Sequence, residues 1–433
     1  MADLDLSKLT GLVKKIYADT YVNAIPEWAW FLKNVKFQSA KKLGDTYEQM
    51  VVLASSHGIT YGGTTGAAYS LATPIPMQTY NASVKGYEYT LREILSIGAI
   101  KRAMGTKEAF ADLWTLAYEQ MMAALTSRLE MSFLDGGNGI GVCASSVNAS
   151  GTTTNVTMNL AEWAPGIWSG IEGASVSFYT SNTTLVSSAA DSVFTVTSVN
   201  PSTRVVLITG TATGISALDT AIGSNPNAVN VYFSGILGTT PLSSFGAEPT
   251  SVRTAIANTG TLWNINGATF GLWKGNNYSA GSAAFNFGKA TAAVSQVVAR
   301  TGAKGEYTFL VNPRTWNSLN ANEAANRRYD QSYDKGRIEN GTEQITYWGQ
   351  SGKITFEPHI YVKEGFAYGL FNAKDPSVWR RVGSTEITNE FQGTSEMLVL
   401  SSDKNGVETR LYTDQAPFCS QVSKQILVSG IVN

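Results

Sequence analysis

The sequence predicts an α+β fold interrupted by an inserted all-β module, and three observations predict it. Thr106 to Asp135 keeps the spacing of one long amphipathic helix. From Phe285 onward, helical and strand-like runs alternate. Between them, Val142 to about Ala247 is rich in Ser, Thr, Val and Gly and reads as short strands joined by turns such as Asn200-Pro201. Flanked by a long helix and an α/β segment, the module reads as an insertion and not as a bead on a linker.

Residues 1 to about 40 read as an arm. Leu6, Leu9, Leu12, Val13, Ile16 and Tyr17 suit one side of a helix, and "IPEWAWFLKNVKF" then crowds aromatics into a short span. Such a terminal segment docks on something or stays disordered. In residues 41–95, "GDTYEQMVVLA" and "SVKGYEYTLREI" read as strands, with Tyr87, Tyr89 and Leu91 alternating in the second. From Gln49 to Val84 there is no charged side chain. Hairpin loops usually run about 2–5 residues. This one is far longer; a flexible surface loop is the alternative, but solvated loops usually carry charge. A hairpin finger laid over a neighbouring subunit explains both properties.

The long helix has Thr106 as N-cap and Glu108 in its first turn, where the macrodipole favours it. Phe110, Leu113, Trp114, Ala117, Met121, Leu125 and Leu129 keep the 3–4 spacing, and Gly136-Gly137 ends it. At 1.5 Å per residue it would run about 45 Å, the length of a spine crossing a domain. In the module, strands are expected at Val193–Val199 and Arg204–Thr209. Glu162, Glu172, Asp191, Arg204 and Asp219 are nearly its only charges before Glu248.

In the C-terminal part, "NFGKATAAVSQVVARTGAKGE" is a helix with Ala290, Ala293, Val294 and Val297 on one face and Gly302 as its stop. A strand at 307–311 follows. Asn312 then fits an N-cap and Pro313 the first position of a short helix that turns Trp316 and Leu319 to the core. "ITYWG", "KITFEPHIYVK", "FAYGLF", "EMLVLSS" and "VETRLYT" read as strands, with Lys404-Asn405-Gly406 as a type I′ turn between the last two.

The chain has 433 residues, a formal net charge of -1 and 15% charged side chains, against roughly 25% in an average soluble domain. Two or more domains are expected at this length. The chain also has ten Trp and nineteen Tyr. Low charge with many aromatics fits a chain that buries surface against partners, and fits a well-packed β-rich monomer equally. The near-neutral balance argues against a dedicated nucleic-acid binder. No apolar run approaches the roughly 18 residues that span a membrane. The N-terminus lacks a signal-peptide core, so a cytoplasmic setting is expected.

Nothing points to catalysis. H-E-x-x-H, G-x-S-x-G, Walker A and C-x-x-C patterns are absent. Cys143 and Cys419 are the only cysteines and imply neither a disulfide framework nor a zinc site. The two histidines, His57 and His359, stand apart and read as structural. Asp330, Asp334, Glu339 and Glu343 mix with Arg327, Arg328 and Arg337, which reads as salt-bridged surface before metal site. The Asn312 turn has no base, nucleophile or Gly-rich cradle beside it and reads as a capped joint. No enzyme activity, cofactor or metal is expected.

Several runs carry a family resemblance: "LVNPRTWNSLN", "RRYDQSY", "IENGTEQITYWGQSGKITFEPHIYVKEGFAYGL", "RRVGSTEITNEF" and "TRLYTDQAPFC". They resemble runs of the major capsid proteins of tailed bacteriophages, the Hong Kong 97-type fold, as does the order arm, finger, spine helix, α/β lobe and returning strands. The likeness covers roughly 1–140 and 248–433, and the module has no counterpart in the minimal fold. The resemblance implies an N-terminal arm (1–40), an extended loop overlapping a neighbour (41–95) and a peripheral domain with spine helix (96–138). It further implies an insertion (139–247), an axial domain (248–345), and returning peripheral-domain strands with a C-terminal segment (346–433).

The implied function is a structural subunit that self-assembles into hexamers and pentamers of an icosahedral shell around double-stranded DNA. It would assemble in the host cytoplasm, with a scaffolding protein, a portal and a decoration protein as further partners. Inter-subunit contact is expected at Tyr61, Gly62, Gly63, Tyr69, Trp28, Trp30, Arg92, Arg327 and Arg328. Lys41, Lys42 and Lys85 flank the finger but its tip has no lysine, so the Lys–Asn crosslink of some members is not expected. Two alternatives stand beside this reading. One is an encapsulin-type shell around an enzyme cargo. The other is a β-rich carbohydrate-binding phage surface protein that uses the module.

Overall fold

The computed structural model describes residues 29–39, 46–64, 66–98, 113–181, 184–234, 248–327, 345–388, 399–400 and 405–433. The expected arm helix, Trp28, the helix start at Thr106, the polar loop from Arg328 to Glu343 and Lys404 lie outside these residues. The chain divides into two units.

One unit comprises 1–25, 90–125 and 388–412. In it Val399–Leu400 pairs antiparallel with the strand Gly406–Cys419, Leu400 facing Val407 and Val399 facing Glu408. The two strands expected around Asn405-Gly406 are therefore partners. Tyr87–Ser96 pairs with the same long strand.

The other unit holds a six-stranded sheet. Its order is Asn276–Ala283, Ile426–Ile431, Phe366–Phe371, Tyr307–Val311, Lys353–Pro358, Ile345–Trp348. Tyr307–Val311 is buried along its whole length, as its unbroken apolar run requires. It runs parallel to Lys353–Pro358 and antiparallel to Phe366–Phe371. Strands from 248–345 and from 346–433 thus interleave in one sheet, so the boundary expected at 345 does not separate two sheets. Helix Phe287–Thr301 buries Ala290, Ala293, Val294 and Val297 and stops on Gly302 at φ 63, as expected. Helix Pro313–Arg327 also begins as read. Asn312 Oδ1 accepts from Arg314 N at 2.9 Å, and its Nδ2 donates to Val362 O at 2.8 Å.

The insert departs from the all-β expectation. Its strands run Val229–Phe233, Gly141–Ser150, Thr153–Met158, Val205–Thr209, Phe194–Asn200, Ser175–Ser181, Thr184–Leu185. Val229–Phe233 also pairs with Ser175–Ser181, which closes six of them into a ring and removes their open edges. Ala212–Ser224 is a helix. Thr211 Oγ1 accepts from Gly214 N at 3.0 Å as its cap. Ile215, Leu218 and Ile222 are buried at helical spacing. The Ser/Thr-rich outer face of that helix hid the spacing within a strand-like composition.

Four charged side chains meet in the interior of this unit. Asp135 closes the helix Leu113–Asp135, Glu162 ends the 3-10 turn Leu160–Glu162 of the insert, Arg253 lies on Val252–Ala257, and Lys363 follows Lys353–Pro358. Lys363 is fully buried. Its Nζ donates to Asp135 Oδ2, to Glu162 Oε2 at 2.8 Å and to Gly139 O at 2.9 Å. Arg253 donates to Asp135 Oδ1 at 3.1 Å and to both oxygens of Glu162 at 3.0 and 2.8 Å. Two cations and two anions cancel, which is how ions tolerate burial.

A second buried carboxylate, Glu130, accepts from Phe31 N at 2.6 Å and Leu32 N at 3.0 Å, at the start of helix Trp30–Asn34. His359 Nε2 donates to it at 3.0 Å, while Tyr361 N donates to His359 Nδ1 at 3.2 Å. With Nδ1 accepting, the ring N–H that faces Glu130 is the one on Nε2. His359 is structural, as its isolation in the sequence suggested.

Lys363→Met leaves Asp135 and Glu162 facing a single guanidinium. We expect a loss of about 3–5 kcal/mol, read as a lower thermal unfolding temperature. Burial by itself raises the Glu162 carboxyl, but Lys363 and Arg253 outweigh it and bring it from 4.5 down to about 2. A folded pKa below the unfolded one stabilises above pH 4.5, and the contribution fades as pH falls from 4.5 to about 2. Acid titrations of Glu162→Gln should lack this part of the stability loss.

Candidate interaction surface

The finger expected over residues 41–95 contains an antiparallel ribbon, Tyr47–Ala54 against Gln78–Val84, with Tyr47 facing Val84 and Val51 facing Tyr80. Beyond a gap, His57 and Ile75 exchange both backbone hydrogen bonds, at 2.9 and 3.1 Å. At about 3.3 Å per residue the paired part reaches about 30 Å from Tyr47 to His57. Gly58 then turns at φ 110, where a Cβ would come within 2.9 Å of Thr73 O. Past it, Ala72 N donates to Thr60 Oγ1 at 2.7 Å. The Tyr69 ring fills the space a side chain on Gly62 would need.

Strand geometry sends alternate side chains to opposite faces. On one face Tyr47, Leu53, Ala82 and Val84 are buried. Tyr47 packs edge-on against Phe418 at 5.7 Å, and its hydroxyl accepts from Arg380 Nη1 at 2.5 Å. Tyr80 meets Phe270 at 4.7 Å. Ser83 N donates to Trp263 O at 3.0 Å. Trp263 and Asn264 form a two-residue turn between Thr261–Leu262 and Ile265–Asn266, with φ 48 and 69. Positive φ at both residues is the type I′ signature. It is uncommon for tryptophan. The indole is held there against Phe418 at 4.9 Å and Trp273 at 6.2 Å. The base of the ribbon is thus clamped by aromatics and by backbone.

The opposite face is uncovered. Met50 and Val52 on it are 65% and 52% exposed. Toward the tip Ile59, Tyr61 and Leu71 are 73%, 88% and 81% exposed, and Tyr69, Ile75 and Met77 are all more than half exposed. A lone two-stranded ribbon is marginal in water. Apolar surface gathered this way marks an interaction site. With no charge on the stretch, covering it requires no ion to leave water.

Of the residues expected to make contacts, Tyr61, Gly62, Gly63 and Tyr69 come together at the tip. Trp30 does not join them and is corrected to a core residue. It is 8% exposed, and its neighbour Phe31 packs on Phe133 at 6.0 Å and Trp379 at 5.7 Å. The physical reason is Glu130, whose carboxylate captures the backbone of that short helix. Arg92 belongs to the other unit and donates to Glu408 Oε2 at 2.7 Å. Arg327 ends helix Pro313–Arg327, and its side chain, like Arg328 and Trp28, lies outside the described residues. Met50, Val52, Ile59 and Leu71 were missed. Their signal was present: Met50-Val51-Val52-Leu53 puts apolar residues on both faces of a strand, while anchoring uses one.

Among the described residues no group of three His, Cys, Asp or Glu could hold a metal ion, and no helix is long and apolar enough to cross a membrane.

No family model matches the chain, and no curated protein matches it in sequence. Solved structures do. The capsid asymmetric unit of cyanophage A-1(L) aligns with 99% of this chain and 100% of that chain, with a TM-score of 0.59 and 12% identity. The capsid of a native GTA particle aligns with 98% and 96% at a TM-score of 0.49 and 11% identity. The SrpI encapsulin complex of Synechococcus elongatus aligns with 100% and 96% at 0.46 and 6%. The last two scores are too low to carry an argument. The first shows the fold: this chain is folded as a phage capsid subunit is.

Replacing Met50 and Val52 together by Thr should leave thermal unfolding within about 0.5 kcal/mol, because neither residue is packed. Tyr47→Ala should cost about 3–5 kcal/mol and speed amide exchange along 47–54 and 78–84, since it opens the clamp.

Proposed function

We propose that this chain is the major capsid protein of a tailed bacteriophage, of Hong Kong 97 type. Copies assemble into hexamers and pentamers of an icosahedral shell around double-stranded DNA, in the host cytoplasm. The single observation that carries this reading is the ribbon: uncharged, uncovered, apolar and fixed on a clamped base. Its surface is formed before contact, so covering it with a neighbour costs little ordering. A ribbon that docks on a different part of the next copy makes a head-to-tail contact, and such contacts close into rings when the rotation permits.

The net charge of -1 suits a wall that encloses DNA without gripping it, because each neutralised phosphate would tighten binding and oppose release. A scaffolding protein, a portal and a decoration protein are the further partners of this reading. The role is structural. The buried Asp135 and Lys363 and the half-buried Glu162 and Arg253 each face an opposite charge and serve the fold.

The test is to express the chain with its scaffold and image it by negative stain. Closed shells of uniform diameter are expected. Tyr61→Ser, Tyr69→Ser and Leu71→Ser together should keep the melting temperature and raise the concentration needed for assembly more than tenfold, as loss of interface anchors does. A wild-type chain that stays a monomer, with residues 55–77 resistant to protease, overturns the reading.

A further inference from the structure

One histidine stands on a ribbon that has no acid and no other base. From Gln49 to Val84 there is no Asp, Glu, Lys or Arg, and His57 is the single histidine. Histidine is the side chain whose charge ordinarily changes between about pH 5 and about pH 8. His57 is exposed. Backbone pairing fixes its place. His57 N donates to Ile75 O at 2.9 Å, and Ile75 N donates to His57 O at 3.1 Å. Two residues that exchange both bonds in an antiparallel pair stand directly opposite, with side chains on one face and about 5.5 Å between their Cα atoms.

That pairing puts the imidazole among the side chains that docking covers. Ile75, on its face, is 51% exposed, and Ile59 is 73% exposed. Gly58 stands between His57 and Ile59 and has no side chain to shield the ring. Charges that could answer a protonated ring are remote. Among the described contacts, the body touches the ribbon at Tyr47, Tyr80 and Ser83, and the charged side chain there is Arg380, at Tyr47. Asp414 lies against Gly86, past the end of the ribbon. Glu48 and Lys85 are the nearest charges along the two strands. Extended geometry puts Glu48 about 30 Å from His57. Charges in physiological salt are felt over only about 8 Å.

We infer that the ribbon is gated by pH: a neighbour covers it while His57 is neutral, and protonation of His57 opposes covering. The inference deepens the shell reading of the ribbon and rests on it. A neutral imidazole enters an apolar contact as a polar but uncharged group, at modest cost. An imidazolium would be the one ion of the stretch to leave water, and no acid on the ribbon would pair with it. Covering therefore selects the neutral form. Docking then displaces a proton, so assembly is favoured on the alkaline side and weakens as pH falls through the imidazole range.

Two measurements on the full chain, assembled with its scaffold, test this. The first is acylation of histidine by diethyl pyrocarbonate, read by mass spectrometry. His359 is fully buried and serves as the unreactive internal control. His57 is expected to react at least about tenfold more slowly in closed particles than in subunits dissociated from them, because an interface centre excludes water. The second is the concentration needed for assembly, read by sedimentation. From about pH 8 to about pH 5 it is expected to rise at least about tenfold for the wild type and less than about threefold for His57→Gln. His57→Arg at about pH 8 should behave as the wild type does at about pH 5, with an unchanged melting temperature. Equal reactivity of His57 in particles and in free subunits overturns this inference alone. So does a pH dependence that His57→Gln shares, or one of opposite sign. The absence of any particle at about pH 8 overturns the shell reading, and this inference with it.

Discussion

The fold depends on one constraint: a charge taken out of water must find its opposite inside. Asp135, Glu162, Arg253 and Lys363 satisfy it together. Each comes from a different stretch of chain, and none can be buried without the others. Their meeting fixes the end of the long helix, the insert and the segment after Lys353–Pro358 in one arrangement. Arg253 adds a face-on contact with the Phe366 ring at 3.8 Å, which ties the same group to the six-stranded sheet. Glu130 works in the same way on the chain entering from residue 29, with backbone N–H groups in place of cations.

The ribbon and the sheet edge at Ile345–Trp348 show the opposite condition. Inside, Asp135, Glu162, Arg253 and Lys363 are paired with one another. Outside, Met50, Val52, Ile59, Tyr61, Leu71, Met77 and Trp348 are left in water. Both surfaces sit on rigid supports: Tyr47, Trp263, Arg380 and Phe418 under the ribbon, and the Gly349–Gly352 turn beside the edge. A flexible loop would lose conformational freedom on docking, whereas a clamped one has already lost it. The left-handed turn at Trp263 fits this division, since a strained backbone persists only where its surroundings hold it.

Much of this was legible without coordinates. Asn312 with Pro313, Gly302 after its helix, and the apolar run 307–311 were read correctly because each signal lies within a few residues. The finger was legible because a stretch from Gln49 to Val84 without charge is itself a local property. The helix Ala212–Ser224 was missed although Ile215, Leu218 and Ile222 mark it, because Ser and Thr around them favour strands and turns equally well. Trp30 was placed on the surface by its aromatic company, and only the distant Glu130 decides otherwise.

The sequence by itself determined the cap at Asn312, the stop at Gly302, the buried strand 307–311, and that a long hairpin carries no charge from Gln49 to Val84. Tertiary structure alone decided that the insert closes into a ring, that strands from both sides of residue 345 share one sheet, and which acid meets which base. It also decided which apolar residues stay uncovered. The physical reason is range. Caps, breakers and periodicity act through neighbours in the chain. Strand partners and buried ion pairs are chosen across separations such as the 201 residues between Glu162 and Lys363, about which no local pattern carries information.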